Sequence, residues 1–123
     1  MATISVHYDE ECDCLIGSFV GTLDQETLKE YAKEVAKTAS KHDFRHFLND
    51  LREAEVDFSS IEIINIPGIF HAAGLDISRR RAIIVPNNLE DYRFFETVAN
   101  NRGFNVKLFT DLNEAMNWLK KKR

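Results

Sequence analysis

The chain has 123 residues, of which 44% are hydrophobic and 29% are charged, and its formal net charge at pH 7 is −4. This length suits a single domain, because a second hydrophobic core would have too few residues to close. The composition excludes a disordered tail, and no stretch approaches the roughly 18 apolar residues of a membrane-spanning helix. The first residues do not resemble a signal peptide and two cysteines cannot form a disulfide framework, so we expect a cytoplasmic protein with no integral membrane segment. An acidic balance without interleaved basic and aromatic residues argues against nucleic-acid binding.

The first quarter of the chain predicts a β-hairpin and then a helix. Apolar residues alternate through Thr3–Tyr8, and Cys12–Val20 follows so closely that the two strands must pair antiparallel. Thr22 with Gln25 fits a capping box, although Asp24 is an alternative cap. The helix then carries one apolar stripe at helical spacing, made of Leu28, Tyr31, Ala32, Val35, Ala36 and Ala39.

A third strand and a second helix are predicted in the middle of the chain. Phe44–Leu51 has the pattern of a strand and Arg52–Asp57 that of a polar loop. Ser59 and Glu62 then fit a capping box, which predicts that a helix begins there. Pro67 and Gly68 interrupt this helix, so we expect a kink or two short helices, because proline removes a backbone hydrogen bond and crowds the preceding turn.

The remaining elements predict an α/β fold. After Gly74 they are a strand at Arg81–Pro86, a helix from about Leu89 to Asn101 capped by Asn87 and Asn88 and ended by Gly103, a strand at Asn105–Thr110, and a last helix capped by Asp111 with Glu114. The order is β-β-α-β-α-β-α-β-α. Since strands separated by helices make right-handed crossovers, we predict one domain with a mainly parallel five-stranded sheet and an antiparallel edge strand.

No motif for catalysis or cofactor binding is present. The five glycines do not cluster into a phosphate-binding loop, and there is no nucleophile elbow or dinucleotide fingerprint. Cys12 and Cys14 point the same way along a strand, and His7 across the hairpin would make a third ligand, but two buried or half-buried strand residues are the simpler interpretation. We therefore predict no enzyme, no metal and no cofactor.

Two charged clusters are candidate sites. The acidic residues Asp50, Glu53, Glu55 and Asp57 follow a parallel strand, where α/β folds place ligands, but with no partnering His or Lys nearby in sequence a solvated acidic loop is the favoured interpretation. In Arg79–Arg81, alternate arginines must point to opposite faces of the strand, so Arg81 either extends its charge to solvent or pairs with an acidic neighbour such as Asp50. A role for this run in binding a phosphate or a partner stays open.

Ser59 and Ser60 stand at the start of a predicted helix. The free backbone N–H groups and the positive end of the dipole would stabilise a phosphate added there. Such a phosphate would also place nearly two negative charges on an exposed surface and repel a partner. The alternative is that Ser59 serves only as the helix cap.

Taken together, nearly the whole chain resembles the STAS-type family of anti-sigma-factor antagonists, and more narrowly its SpoIIAA-like branch, which is related in structure to CRAL-TRIO lipid-transfer domains. The resemblance rests on the element order and on several segments. These are residues 49–52 (NDLR), 56–60 (VDFSS), 80–85 (RRAIIV), 94–103 (FFETVANNRG) and 106–111 (VKLFTD), with Ala115, Trp118 and Leu119.

The resemblance implies a regulatory role. In the antagonists, a serine at the head of the helix after the third strand is phosphorylated by a cognate kinase and controls partner binding, which would assign that role to Ser59 or Ser60. The family pattern is Asp-Ser-Ser followed by a small residue, whereas here Phe58 follows Asp57 and Ile61 follows Ser60.

Two functions follow as expectations. The first is a non-enzymatic interaction module that binds a protein partner, such as a kinase-like regulator, near the helix that starts at Ser59. The second is a domain that binds a small apolar ligand or lipid, with an apolar cleft lined by Phe58, Ile64, Ile69, Phe70, Phe94 and Phe95. Phe94 is surplus to the core stripe and could instead mark a homodimer patch. The predicted partner- or ligand-binding residues are Asp57, Phe58, Ile64, Pro67, Phe70, Arg81 and Phe94.

Overall fold

The computed structural model describes residues 2–75, 79–86 and 89–121. In chain order the elements are β1 (Thr3–Asp9), β2 (Cys14–Leu23), α1 (Gln25–Ala39), β3 (His46–Asp50), β4 (Ala54–Val56), α2 (Ser60–Ala72), β5 (Arg80–Ile84), a 3-10 turn (Leu89–Tyr92), α3 (Arg93–Asn101), β6 (Asn105–Phe109) and α4 (Leu112–Lys120). The predicted α/β class and the element order are confirmed, with one additional strand, β4.

The strands form a mixed sheet in the order β1-β2-β3-β5-β6, and β4 pairs with β2 beside β3. Only β1 is antiparallel to its neighbour, which confirms the predicted antiparallel edge. The expectation of five strands was wrong, because the stretch predicted as a polar loop contains β4. Residues 54–56 pair with Gly21–Leu23, the part of β2 that extends past its pairing with β3.

Two layers of helices cover the sheet unequally. Alternate strand residues point to opposite faces. On one face Leu15, Phe19 and Phe47 pack in the larger core with residues of α1 and α2. On the other face Cys14 and Leu48 pack with residues of α4. The larger core lies between the sheet and helices α1, α2 and α3, and it contains the cavity described below.

The helix caps decide where α1 and α4 begin. Asp24 accepts from the backbone N–H of Thr27, and the Thr27 hydroxyl accepts from the Asp24 N–H, so Asp24 is the cap of α1. The capping box expected for Thr22 with Gln25 was wrong, because Thr22 still belongs to β2, and the alternative of Asp24 as cap is confirmed. Asp111 accepts from the N–H of Glu114 and caps α4 as predicted.

Helix α2 passes through Pro67 without a break. The expected division into two short helices was wrong. The one backbone hydrogen bond that proline lacks is a local loss, and Pro67 is buried within the continuous helix. The helix ends as predicted near Gly74, whose φ of +86° needs a residue without a side chain.

The last helix-strand unit starts with a 3-10 turn where a continuous helix was expected, and α3 proper begins only at Arg93. Gly103, with a φ of +101°, follows its end as predicted. The caps assigned to Asn87 and Asn88 lie outside the described residues. Cys12 lies in the β1–β2 turn, not in the strand, and its Sγ is bonded to that of Cys14; both residues are buried.

Candidate functional site

A cavity of about 80 Å³ lies between the sheet and the layer of helices α1, α2 and α3. Its lining is almost entirely apolar, and its buried part contains three polar side chains, those of Tyr31, Asn49 and Arg81. The half-buried Tyr92 adds a fourth polar group, its hydroxyl, and the remaining lining residues are apolar: Leu23, Leu28, Leu51, Val56, Phe58, Ile63, Ile66, Phe70, Ile83, Val85, Phe95 and Phe104. An apolar cavity with a few convergent polar groups is the usual form of a small-molecule site.

The cavity has a buried floor and a half-exposed rim. Leu28, Phe70, Ile83 and Phe104 are buried, as are the three polar residues. Rim residues are half-buried: Leu51, Val56, Phe58, Ile63, Tyr92 and Phe95. The open side of the cavity therefore lies at the surface between α2, the 3-10 turn and α3, and the buried polar groups on the strands and α1 lie at its closed end.

Arg81 is the central residue of the floor. It occupies β5 opposite Phe47 of β3, and strand alternation directs both side chains to the α1–α3 face. Only 2% of Arg81 is exposed. Its guanidinium carbon lies 4.2 Å from the ring centre of Phe47, 4.8 Å from that of Phe70 and 5.6 Å from that of Phe104. Three aromatic rings thus surround the buried cation, and each contributes a cation–π attraction.

A chain of hydrogen bonds links Arg81 to helix α1. Arg81 Nη1 donates to Asn49 Oδ1 at 2.6 Å, and Asn49 Nδ2 donates to the hydroxyl of Tyr31. Gly17 of β2, the register partner of Asn49, leaves the space into which the Tyr31 hydroxyl extends. Four residues from three strands and one helix therefore build this polar floor together.

The positive charge of Arg81 is not balanced by any described carboxylate. Its Nη2 atom is buried and has no hydrogen-bond partner among the described residues. The expected pairing with Asp50 was wrong, because neighbouring strand residues alternate in direction, so Asp50 points to the face opposite Asn49. There Asp50 accepts from Arg52 at 2.7 Å, and this hydrogen bond lowers the pKa of its carboxyl.

Burial shifts the titration of both large polar groups in the floor. It lowers the pKa of Arg81 to about 10, because the charged form loses its hydration. It also raises the pKa of Tyr31 to about 12, since the phenolate would be the charged form. At neutral pH the floor therefore holds a cationic guanidinium beside a neutral phenol.

The two serines at the start of α2 differ in the hydrogen bonding of their hydroxyls. The Ser59 hydroxyl accepts from the N–H of Glu62 at 3.2 Å, and the Ser59 N–H donates to Glu62 Oε1 at 2.9 Å, which is the predicted capping box. Ser60, the first helical residue, is exposed, and no hydrogen bond among the described residues uses its hydroxyl. Ser59 thus has a structural task, whereas the Ser60 hydroxyl is available.

Three of the exposed large apolar side chains belong to first helical turns at the carboxyl edge of the parallel strands. Ile61 is 73% exposed, Phe94 48% and Leu112 38%. Each lies in the first turn of its helix, α2, α3 or α4 respectively. Because these helices follow β4, β5 and β6, their first turns all lie at the edge where those strands end.

Some of the predicted site residues line the cavity, and others are exposed at the carboxyl edge of the sheet. Phe58, Phe70 and Arg81 line the cavity, together with Phe95. Asp57 is exposed just before α2, and Phe94 is exposed on α3.

Three residues expected in the apolar cleft do not line this cavity. Ile64 is half-buried on α2, and Ile69 instead lines a separate shallow groove beside α1. Phe94 faces outward because it is the residue before Phe95 in a helix, where neighbouring residues point about 100° apart. Pro67 is buried within α2 but is also absent from the cavity lining.

The other two arginines of the run 79–81 have local partners. Arg80 donates to the carbonyl oxygens of Trp118 and Lys121 at the end of α4, at 2.6 and 2.9 Å. Arg79 donates to the carbonyl of Phe44. In residues 2–75, 79–86 and 89–121 no three His, Cys, Asp or Glu side chains converge on one point, and none of the helices there is long and apolar enough to cross a bilayer.

Sequence reasoning missed three members of the polar floor: Gly17, Tyr31 and Asn49. Tyr31 was assigned only to the apolar stripe of α1, and Asn49 only to the family resemblance. A signal for them existed, since a glycine inside a strand indicates close approach by another group. An asparagine in the middle of a buried strand likewise needs a hydrogen-bond partner.

No protein-family model and no curated protein sequence matches the chain. Solved structures do. An anti-sigma factor antagonist from Mycobacterium paratuberculosis is 15% identical, with a TM-score of 0.61 over 98% of this chain and 96% of that one. An uncharacterised DUF3478-family protein with a SpoIIAA-like fold from Shewanella loihica is 22% identical, with a TM-score of 0.59 over 96% and 93%.

The anti-sigma factor antagonist SpoIIAA in its unphosphorylated form is 9% identical to this chain, with a TM-score of 0.55 over 96% of both chains. At these identities the likeness establishes the fold. Together with the element order and the antiparallel edge strand, it shows that this chain has the SpoIIAA-like α/β fold.

Proposed function

We propose that this protein is a non-enzymatic regulatory module that binds a protein partner at the carboxyl edge of its sheet, around the first turn of α2. The observation that carries the proposal is the group of exposed apolar side chains at that edge, with Ile61 73% exposed next to the available hydroxyl of Ser60. Ile61 and Phe94 belong to the neighbouring helices α2 and α3, and apolar side chains exposed on adjoining elements are typical of interaction surfaces. The structural similarity to anti-sigma factor antagonists supports a regulatory role of this kind.

Phosphorylation of Ser60 would control this surface. A phosphate on Ser60 would be stabilised by the free N–H groups of the first turn and would bring nearly two negative charges beside Ile61. Ser59 is the less suitable acceptor, because its hydroxyl is engaged with the N–H of Glu62. A desolvated apolar contact does not tolerate such a charge, so we expect the modified protein to release its partner.

Site-specific photo-crosslinking in the cells that make this protein tests the proposal. A photo-crosslinking amino acid in place of Ile61 or Phe94 should capture the same partner, whereas one in place of Arg45, which is 77% exposed before β3, should not. Ser60→Asp should reduce the capture and Ser60→Ala should preserve it. Equal capture at all three positions would refute the location, and undiminished capture by Ser60→Asp would refute the switch.

A second function, binding of a small apolar ligand, is favoured by the cavity of about 80 Å³ with its apolar lining. Ligand binding in the cavity is independent of the partner surface, because the cavity lies between the sheet and the helices. The exposed apolar side chains Ile61 and Phe94 lie outside it. Native mass spectrometry after gentle purification, and titration with small apolar molecules, test this function. Absence of any bound or bindable ligand would argue against it.

A further inference from the structure

We propose that the cavity takes a small apolar monocarboxylate, with the carboxylate against the free Nη2 of Arg81 and the apolar part between α2 and α3. This inference rests on the second proposed function, ligand binding in the cavity, and deepens it by naming the class of ligand. It depends on three observations: an unpartnered buried cation, an apolar lining, and access from the rim.

The unpartnered cation is the main argument. Arg81 is 2% exposed, and its Nη2 has no partner within the part of the chain that the structure describes. A buried charge is costly unless it is paired, and nearly all buried polar groups in proteins find partners. The ring contacts and Asn49 Oδ1 compensate the guanidinium only in part, because none of them carries a negative charge. The buried guanidinium of Arg81 therefore has no counter-ion among the described residues.

A carboxylate is the anion that fits best. The planar guanidinium presents donors in a fork that matches two carboxylate oxygens. One carboxylate cancels one arginine, whereas a phosphate monoester would leave excess negative charge among apolar side chains. The neutral phenol of Tyr31, which lines the same floor, can donate its own hydroxyl proton to an anion.

The apolar lining and the rim set the size of the ligand. A volume of about 80 Å³ is smaller than the roughly 150 Å³ of an engineered cavity that holds benzene, so the floor takes only a few carbon atoms. The half-buried residues at the rim, among them Phe58 and Phe95, leave a path by which a longer chain reaches solvent. A short unbranched acid such as hexanoate is the appropriate probe.

Titration of the wild-type protein with three molecules of matched length measures how the charge of the ligand affects its affinity. Hexanoate, 1-hexanol and hexylammonium are compared by two-dimensional amide NMR at neutral pH, with acetate as the acid that lacks an apolar chain. We expect hexanoate to bind more tightly than 1-hexanol by at least about tenfold, the weight of one hydrogen bond to a charged group. Acetate should bind far more weakly, and hexylammonium should not bind.

Neighbouring arginines supply a matched pair of variants. Arg81→Met should lower hexanoate affinity by about tenfold or more and leave 1-hexanol affinity nearly unchanged, because only the charge is lost. Arg80→Met, one residue away on the opposite face where Arg80 caps α4, should change neither affinity. If Arg81→Met does not fold, the comparison of hexanoate, 1-hexanol and hexylammonium on the wild-type protein is by itself the test of the carboxylate inference.

The outcomes separate the inference from the function on which it rests. Preferential binding of hexanoate that depends on Arg81 supports both. Equal binding of hexanoate and 1-hexanol overturns the carboxylate inference and leaves apolar ligand binding intact. If neither molecule perturbs the amides of the cavity residues, ligand binding in this cavity is itself refuted, and the inference with it.

Discussion

Gly17 on β2 lies directly beneath the Tyr31 hydroxyl of α1, and a side chain at position 17 would overlap that hydroxyl. The glycine therefore allows α1 to approach the sheet closely enough for Tyr31 to accept a hydrogen bond from Asn49. The polar floor of the cavity depends on this close approach, because Asn49 is the residue that also accepts from Arg81.

Gly17→Ala should destabilise the protein by about 1–3 kcal/mol, the usual cost of overpacking a closely packed interior. Urea denaturation measures it. Tyr31→Phe, which removes the hydroxyl, should recover part of the loss in the double variant, so the two changes should not be additive. Gly68→Ala is the control: no atom lies within 4 Å of its added side chain, and alanine in a helix should stabilise by about 0.5–1 kcal/mol. Equal losses at both glycines would contradict this account.

Asn49→Leu should lower the free energy of unfolding more than Arg81→Met does. The leucine removes the one hydrogen-bond acceptor that the described residues offer to the buried guanidinium, which costs on the order of 2–3 kcal/mol. Methionine instead removes the costly charge and retains an apolar side chain of similar length, a replacement that is often neutral or stabilising. Denaturation of both variants at pH 7 provides the comparison. If Arg81→Met lowers the free energy of unfolding more than Asn49→Leu does, Arg81 stabilises the fold. That result would contradict the view that its buried charge is unfavourable for stability and is present for ligand binding.

Tyr31 should ionise later than an ordinary tyrosine, with a pKa of about 12 caused by burial. Its neutral form is favoured in the folded state, so its contribution to stability is complete below pH 10 and is lost as pH rises from 10 to 12. Arg81, whose pKa is lowered to about 10, contributes with the opposite sign over this range. A measurement of stability against pH therefore does not separate the ionisation of Tyr31 from that of Arg81.

Absorbance of the phenolate does isolate it. The protein has three tyrosines, and Tyr31→Phe should remove the last step of the alkaline titration. Tyr8→Phe should preserve that step, although the hydrogen bond to Asp13 also raises the pKa of Tyr8. A last step that survives in Tyr31→Phe would show that Tyr31 is not the buried phenol described here.

Ser59→Ala should destabilise the protein by about 1 kcal/mol, because it removes the acceptor for the Glu62 N–H at the start of α2. Ser60→Ala should have almost no effect on thermal unfolding, since no described hydrogen bond uses its hydroxyl. Thermal denaturation of the two single variants side by side makes this comparison. Equal effects would mean that the two serines are not divided into a cap and a free hydroxyl.

Local patterns in the sequence were enough for most of the fold. The period of the apolar residues in α1, and the caps at Ser59 and Asp111, depend on interactions within a few residues and were read correctly. The strand β4 was not predicted, because three residues have no clear period and become a strand only where the end of β2 is available for pairing. Helix α2 likewise continues through Pro67, which is buried, and burial is a property of the packed structure that no local pattern reports.

The sequence by itself determined the α/β class, the starts of α2 and α4, and the phenylalanines 58, 70 and 95 as candidates for an apolar site, because amphipathic periods and caps are short-range properties. Only the tertiary structure decided that Arg81 is buried among three aromatic rings and bonded to Asn49 instead of Asp50. The physical reason is that a charge acquires its environment from strands and helices distant in sequence. Register and side-chain direction across β2, β3 and β5 place Gly17, Asn49 and Arg81 on one face, and that arrangement exists only after the sheet has formed.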